Sequence, residues 1–249
     1  AGHRLPNIGV GLNHHHDSLL CSRLNVGLRT EVDSLHGLQF GLFYGGIRRD
    51  AQGLMVAGIA NAAHAMSGIQ LAGFSNIVFT PMRGLQLSML TNIAMGVRKG
   101  TQISTTANVS SGQMHGLQLG AYNYADTLTG SQIGIINVAL SHPRGVQVGF
   151  FNYTRDTIAR KIGLVNVNPK TRIDLLASLG TASKLNAALR FRNRSTYSIV
   201  GVGSHYMGFD EGFSGAIYYR IGQYFTLSPR WTISGDLGFY HVESFKKNS

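Results

Sequence analysis

The stretch GLQLSMLTNIA (84–94) carries the pattern that decides the fold. Side chains of an extended strand point alternately to opposite faces. Leu85, Leu87, Met89, Ile93 and Met95 therefore share one face, with Thr91 the exception. Gly84, Gln86, Ser88, Asn92 and Ala94 share the other, interrupted by Leu90. One face is greasy and the other small or polar. The unit recurs in both directions: GLQFGLFYG (37–45), GLMVAGIANAA (53–63) and GIQLAGFSNIV (68–78) precede it. GTQISTTANVS (100–110), GLQLGAYNYA (116–125), GSQIGIINVA (130–139), GVQVGFFNYT (145–154) and a degenerate KIGLVNVN (161–168) follow. The opening glycines are 14 to 16 residues apart. Gln39, Gln70, Gln86, Gln102, Gln118, Gln132 and Gln147 stand two residues after them, and Asn61, Asn76, Asn92, Asn108, Asn123, Asn137, Asn152 and Asn166 close the units. Self-similarity at a fixed short period marks a repeat architecture.

Composition agrees. Charged residues make up 13% of the 249 residues and glycine accounts for 32 of them, whereas a soluble domain carries about a quarter charged residues and about 7% glycine. Low charge with abundant glycine suits many short strands and tight turns. Lysine and arginine outnumber acids 22 to 11. The cations are not packed into one patch or helix, which argues against a nucleic-acid partner. They fall between apolar segments, at Arg48-Arg49, Arg83, Arg98-Lys99, Arg144, Arg155 and Arg160-Lys161. That placement fits turns that meet anionic lipid head groups or lipopolysaccharide, with other envelope proteins as further partners. No apolar run reaches the length of a membrane helix. No signal-peptide pattern opens the sequence, as expected of a chain numbered after cleavage. Cys21 is the single cysteine, so neither a disulfide framework nor a cysteine metal site is expected.

Two architectures accommodate the units. Residues 7–12 and 23–30 read as two more strands within a degenerate opening segment, 1–36. After the repeat region, 37–168, the segment 169–249 reads as longer hairpins, ending in FSGAIYYRIGQYF, LSPR and WTISGDLGFYHVES. Their aromatics gather toward strand ends, as in the girdles of membrane barrels. The expectation is one β domain over 1–249, an antiparallel transmembrane β-barrel of roughly 16 short strands. A β-solenoid with a C-terminal meander is the alternative. In the later copies Gln118 and Asn123 are five apart, and the apolar positions switch faces between Leu119 and Tyr122. A solenoid corner or a β-bulge would produce that switch.

The GLQLG…N units followed by such hairpins, from about Gly37 to Tyr240, resemble the surface-repeat family of bacterial outer-membrane proteins. The resemblance implies a bacterial outer-membrane or cell-surface location more than an activity: a passive pore, or the membrane part of a surface assembly. The core QLGAYNYA also resembles the Gln-x-Gly-x-x-Asn-x-Ala core of curlin repeats, which stack as strand–turn–strand. That likeness covers about half of each unit, and curlin units are longer. It implies a secreted or lipid-anchored solenoid for adhesion or scaffolding.

Candidate sites are few. His14-His15-His16-Asp17 is a dense ligand cluster, but neighbours on a strand alternate faces, and zinc takes converging ligands. Asp33, Ser34 and His36 hold the letters of a triad without its geometry. His205, Asp210 and Glu211 lie in a glycine-rich stretch with no helix to make a phosphate loop. No enzyme, metal or cofactor is expected. Asp17-Ser18-Leu19, Asp33-Ser34-Leu35, Asp126-Thr127-Leu128 and Asp156-Thr157-Ile158 resemble the Asp-Ser/Thr-aliphatic acceptor of a general bacterial O-glycosylation system. Ser18, Ser34, Thr127 and Thr157 are thus candidate acceptors, at predicted turns where the same tripeptides also serve as plain turn chemistry. The Gln and Asn rows line a lumen in a barrel, or form structural hydrogen-bonded ladders in a solenoid.

Overall fold

A computed structural model describes residues 7–15, 21–141, 144–157, 159–179, 185–194, 196–208 and 212–245; side chains of 7–15, 205–208, 212–213 and 244–245 are outside that description. The chain divides into two compact units, Ala1–Gly149 and Phe150–Ser249.

In the first unit the strands are parallel, and each repeat lies on the same residues of the next. Gly68, Ile69 and Gln70 pair with Gly84, Leu85 and Gln86, which pair in turn with Gly100, Thr101 and Gln102. On the second face, Asn61 pairs with Asn76, Asn76 with Asn92 and Asn92 with Asn108. Identical residues at a separation of one repeat meet only when the chain winds round in register. An antiparallel hairpin pairs residues mirrored about its turn instead. The antiparallel barrel is therefore corrected to a β-solenoid, and transmembrane barrel strands and a porin-like lumen are withdrawn with it. The two patterns share the two-residue period, which is why alternation alone could not separate them.

The corner explains the switch of faces in the later copies: Ala107–Leu119 ends one side with Gln118 buried and Tyr122–Leu128 opens the other with Asn123 buried, so Leu119 and Tyr122 both lie outside. The same corner occurs in the earlier copies. Met82–Ser88 runs along one side and Thr91–Ala94 along the other, with Met89 and Leu90 at the bend. Ser88 Oγ donates to the carbonyl of Thr91 across the bend at 2.8 Å. Both sides keep their polar residue inward: Gln86, Ser88 and Asn92 are buried, while Leu87 and Ile93 are exposed. The apolar core lies at the opposite edge, where Leu35, Met66, Met82, Val97, Met114 and Leu128 are buried one above another.

Six of the eight repeat-opening glycines enter the first strand with positive φ: Gly37, Gly53, Gly68, Gly84, Gly116 and Gly145. At Gly84 φ is 116°, and a β-carbon would collide with the carbonyl oxygen of Gly68 in the turn before it. Both the dihedral and the close stacking exclude a side chain.

The second unit begins with the last parallel pairing, Phe151–Tyr153 on Val165–Val167. An antiparallel meander follows: Arg172–Ser178, Leu185–Arg192, Thr196–Gly208, Gly212–Ser228 and Trp231–Phe245. The predicted hairpins thus exist, as an open sheet in sequence order. One face packs tyrosines onto glycines of neighbouring strands, the ring of Tyr218 over Gly201 and that of Tyr197 over Gly222. Tyr197 Oη donates to Asp236 at 2.8 Å, and Arg220 Nε donates to the other oxygen of that carboxylate at 2.8 Å.

Gly84→Ala is expected to lose at least about 2 kcal/mol of stability. Gly235→Ala, where nothing lies within 4 Å of the new methyl, should stay within about 0.5 kcal/mol of the parent. Urea unfolding of the two variants measures the contrast.

Candidate functional site

The repeated amides form two buried ladders. Gln86 Nε2 donates to Gln70 Oε1 at 2.9 Å, Gln102 to Gln86 at 2.8 Å, Gln118 to Gln102 at 2.8 Å, Gln132 to Gln118 at 2.8 Å and Gln147 to Gln132 at 2.8 Å. The second amide proton of these glutamines goes to the facing strand, as from Gln118 to the carbonyl of Tyr124 and from Gln132 to that of Val138. The asparagines run in the opposite sense: Asn61 donates to Asn76, Asn76 to Asn92, Asn92 to Asn108, Asn108 to Asn123 and Asn123 to Asn137, at 2.9–3.0 Å. Asn152 donates to Asn166 at 2.9 Å in the second unit. Each also bonds a corner-side carbonyl of the next turn, such as Asn92 to Ile103 at 2.7 Å. Gln39, Gln70, Gln86, Gln102, Gln118, Gln132 and Gln147 are fully buried, as are the asparagines up to Asn152; Asn166 is 7% exposed. No side of these rows faces an open channel.

Three interruptions escaped the sequence reading. Asn25 stacks on Gln39 and donates to its Oε1 at 3.2 Å, extending the row upward with a shorter amide. Met55 occupies a glutamine position, and Gln70 Nε2 meets its Sδ at 3.6 Å. Gly45 occupies an asparagine position opposite Asn61. Gln39 Nε2 and Asn61 Oδ1, both buried without a hydrogen-bond partner, lie 2.8 Å from where a Gly45 β-carbon would stand. Broken spacing in the letters, Gly-Leu-Met and Tyr-Gly-Gly, was the signal for the last two.

Lys161 holds the glutamine position of the degenerate copy. Its Nζ donates to the carbonyl of Val167 at 3.0 Å, the same reach of six residues as in Gln118 and Gln132. Burial lowers its pKa from 10.5 to about 8, partly opposed by the charge of Asp156.

The remaining candidates do not assemble chemistry. Ser34 Oγ donates to Asp50 Oδ1 at 3.3 Å, and His36 Nε2 lies 3.5 Å from Asp50 Oδ2. The carboxylate thus stands between hydroxyl and imidazole, whereas activating a serine requires the imidazole in the middle. Asp33 faces Arg48 instead, at 4.0 Å. His16, Asp17, Ser18, Asp210 and Glu211 lie outside the described residues, as do the side chains of His14, His15 and His205. Among the described residues no group of three or more His, Cys, Asp or Glu converges on a metal position. Ser34 and Thr127 lie within strands rather than at turns and are half-buried, as is Thr157. The aliphatic members Leu35 and Leu128 are fully buried in the far-edge core, so packing accounts for part of that tripeptide pattern. In comparisons with family models, curated proteins and solved structures, nothing matches this chain.

Two expectations follow. Gly45→Asn should supply the missing rung of the asparagine row once the flexible ends of Gln39 and Asn61 swing clear of the new β-carbon, and raise stability by about 1 kcal/mol in thermal unfolding. At Lys161 the unfolded chain binds more protons than the folded one between pH 8 and 10.5. Stability due to this group therefore rises with pH across that window, and the charging penalty is fully present below it. Lys161→Gln should abolish that part of the rise when unfolding midpoints at both ends of the window are compared with the parent.

Proposed function

We propose that the chain is a non-catalytic scaffold of the bacterial cell envelope, whose solenoid seats its corner edge in the outer layer of an anionic lipid surface. The observation that carries this reading is the inversion of the first unit. Amides fill the inside, and the corner presents Leu42, Phe74, Met89 and Ile135 to the outside at 60%, 53%, 66% and 54% exposure. Exposed apolar patches of this kind mark contact surfaces.

Two further features favour lipid as the occupant. Backbone groups entering hydrocarbon must be satisfied internally. At the corner, Met89 N–H bonds the carbonyl of Gly73 at 3.2 Å, Leu90 that of Phe74 at 3.1 Å, Ala121 that of Thr105 at 3.2 Å and Ile135 that of Ala121 at 3.0 Å. The exposed column just before the turn glycines includes Arg83, Lys99 and Arg144, and residues 51–125 contain no acid. Cations beside an apolar edge complement anionic head groups, at about 1 kcal/mol each near the surface. From Gly84 to Met89 the strand covers about 17 Å at about 3.3 Å per residue, roughly half of a hydrocarbon core. That depth suits one leaflet.

Flotation with phosphatidylcholine vesicles containing phosphatidylglycerol tests the reading. The purified chain should float, Phe74→Glu with Ile135→Glu should reduce partition at least about tenfold, and Leu237→Glu on the other unit should leave it unchanged. Absence of flotation, or a corner-dependent dimer in sedimentation that does not float, refutes it. Labelling of intact producing cells addresses the location, and a cytosolic pool alone would count against it.

A further inference from the structure

The second unit contains a cleft of about 670 Å³ whose lining includes Lys170, Arg172, Arg192 and Arg194 together with Asn168 and Asn193. Arg172 and Arg192 stand directly opposite each other on neighbouring antiparallel strands. Like charges in that relation destabilise a sheet. Among the described ion pairs, one carboxylate reaches this group: Asp174 is held by Arg190 at 2.8 Å and lies 3.9 Å from Arg192. Four cations thus line one cleft, and the carboxylate that reaches one of them is already engaged by a fifth cation, Arg190.

The turns that carry the cations are locked together. Asn168 Nδ2 donates to Asn193 Oδ1 at 2.9 Å, and Thr171 Oγ1 donates to the same oxygen at 2.6 Å. Asn193 Nδ2 donates to the carbonyl of Asn166 at 2.9 Å, and Lys170 N–H bonds Asn168 Oδ1 at 2.8 Å. Lys170 and Arg172 flank one turn, and Arg192 and Arg194 the other. A network of short side chains therefore fixes the backbone from which four long cationic side chains project. Fixed cations with mutual repulsion form a site completed by an anion, and guanidinium groups bind phosphate through paired N–H donors.

We propose that this cleft binds a phosphate group, either of a soluble phosphate compound or of a lipid head group. The cleft belongs to the second unit, so its binding stands or falls separately from lipid docking by the solenoid corner.

The probe is inorganic pyrophosphate, with sodium chloride matching ionic strength, read by thermal unfolding of the full chain. Pyrophosphate should raise the unfolding temperature of the parent. Arg172→Gln should leave the free protein as stable as the parent or more so, because a repulsion is removed, while weakening the apparent affinity about tenfold. Arg194→Gln, at an exposed turn, should weaken it similarly and guards against misfolding of the first variant. Phosphatidylglycerol vesicles separate the sources. In the Phe74→Glu/Ile135→Glu background, where the corner no longer carries the chain to lipid, residual flotation that both arginine variants abolish makes the head group the ligand; no residual flotation with the pyrophosphate response kept makes the ligand soluble. No response in the parent, or an equal response in both variants, overturns the proposal. So does an Arg172→Gln protein that is destabilised yet binds pyrophosphate like the parent, because that outcome assigns the arginine a structural role.

Discussion

Everything in the first unit depends on one requirement: a buried primary amide must find a partner for both its N–H groups and its oxygen. A carboxamide is self-complementary, so a column of identical amides repeated at the spacing of β-strands satisfies itself. Each unsatisfied member would cost about 1–3 kcal/mol. Register is thereby fixed more firmly than apolar packing alone would fix it, because a slip of one residue would break every rung of both columns together. The spacing of 14 to 16 residues between repeats is absorbed both at the corner, where Gln and Asn stand six apart at Gln70, Gln86 and Gln102 and five apart from Gln118 onward, and at the far-edge turns, where bulges occur, as between Met82 and Arg83. The inward Gln and Asn positions are the ones the sequence repeats, with Met55 and Gly45 among the exceptions.

The amide interior displaces the greasy residues. Near the corner the two sheets face each other with Gln, Asn, Ser and Gly between them, so the Leu and Ile of both strands turn outward. Away from the corner the order reverts: Met66, Met82 and Met114 fill the interior while Arg83, Lys99 and His115 lie outside. The solenoid therefore has two chemically opposite edges built from one alternating pattern, and the change occurs at the turn glycines. The long, unbranched methionines suit an edge where the turn length varies from repeat to repeat, since they adapt to irregular gaps.

Much of this was legible. The alternation in 84–94, the Gln and Asn rows and the all-β class follow from spacing alone. Strand direction did not, because a period of two is common to parallel and antiparallel sheets. The decisive clue was the five-residue offset from Gln118 to Asn123, which a corner between Leu119 and Tyr122 resolves. The aromatic hairpins pulled the reading toward a barrel, yet Tyr197 and Tyr218 are spent on covering glycines within one open sheet. The cationic cleft was invisible for a different reason: Arg172 and Arg192 are brought opposite each other by hairpin register, which composition does not encode. Likewise Asp50 reaches Ser34 and His36 only because one turn of the solenoid stacks on the next.

The excess of 22 basic over 11 acidic residues has a local meaning once the acids are placed. Glu31 is engaged by Arg48 at 3.1 Å, and Asp236 by Arg220 and Tyr197. Asp174 goes to Arg190 at 2.8 Å. Such pairing consumes acids and cations together, so the surplus is left in groups of unequal density: Arg83, Arg98 and Lys99 along residues 51–125, which hold no acid, and a denser group of four around the cleft at Arg172. Screening limits exposed charges to about 8 Å of influence at physiological salt. A diffuse surplus would then attract anything negative weakly, whereas these two concentrations act on groups close to them. One adjoins an apolar edge and matches a charged interface; the other surrounds a polar cleft and matches a discrete anion. The difference lies in what stands beside the cations, and that is set by which face each strand turns inward.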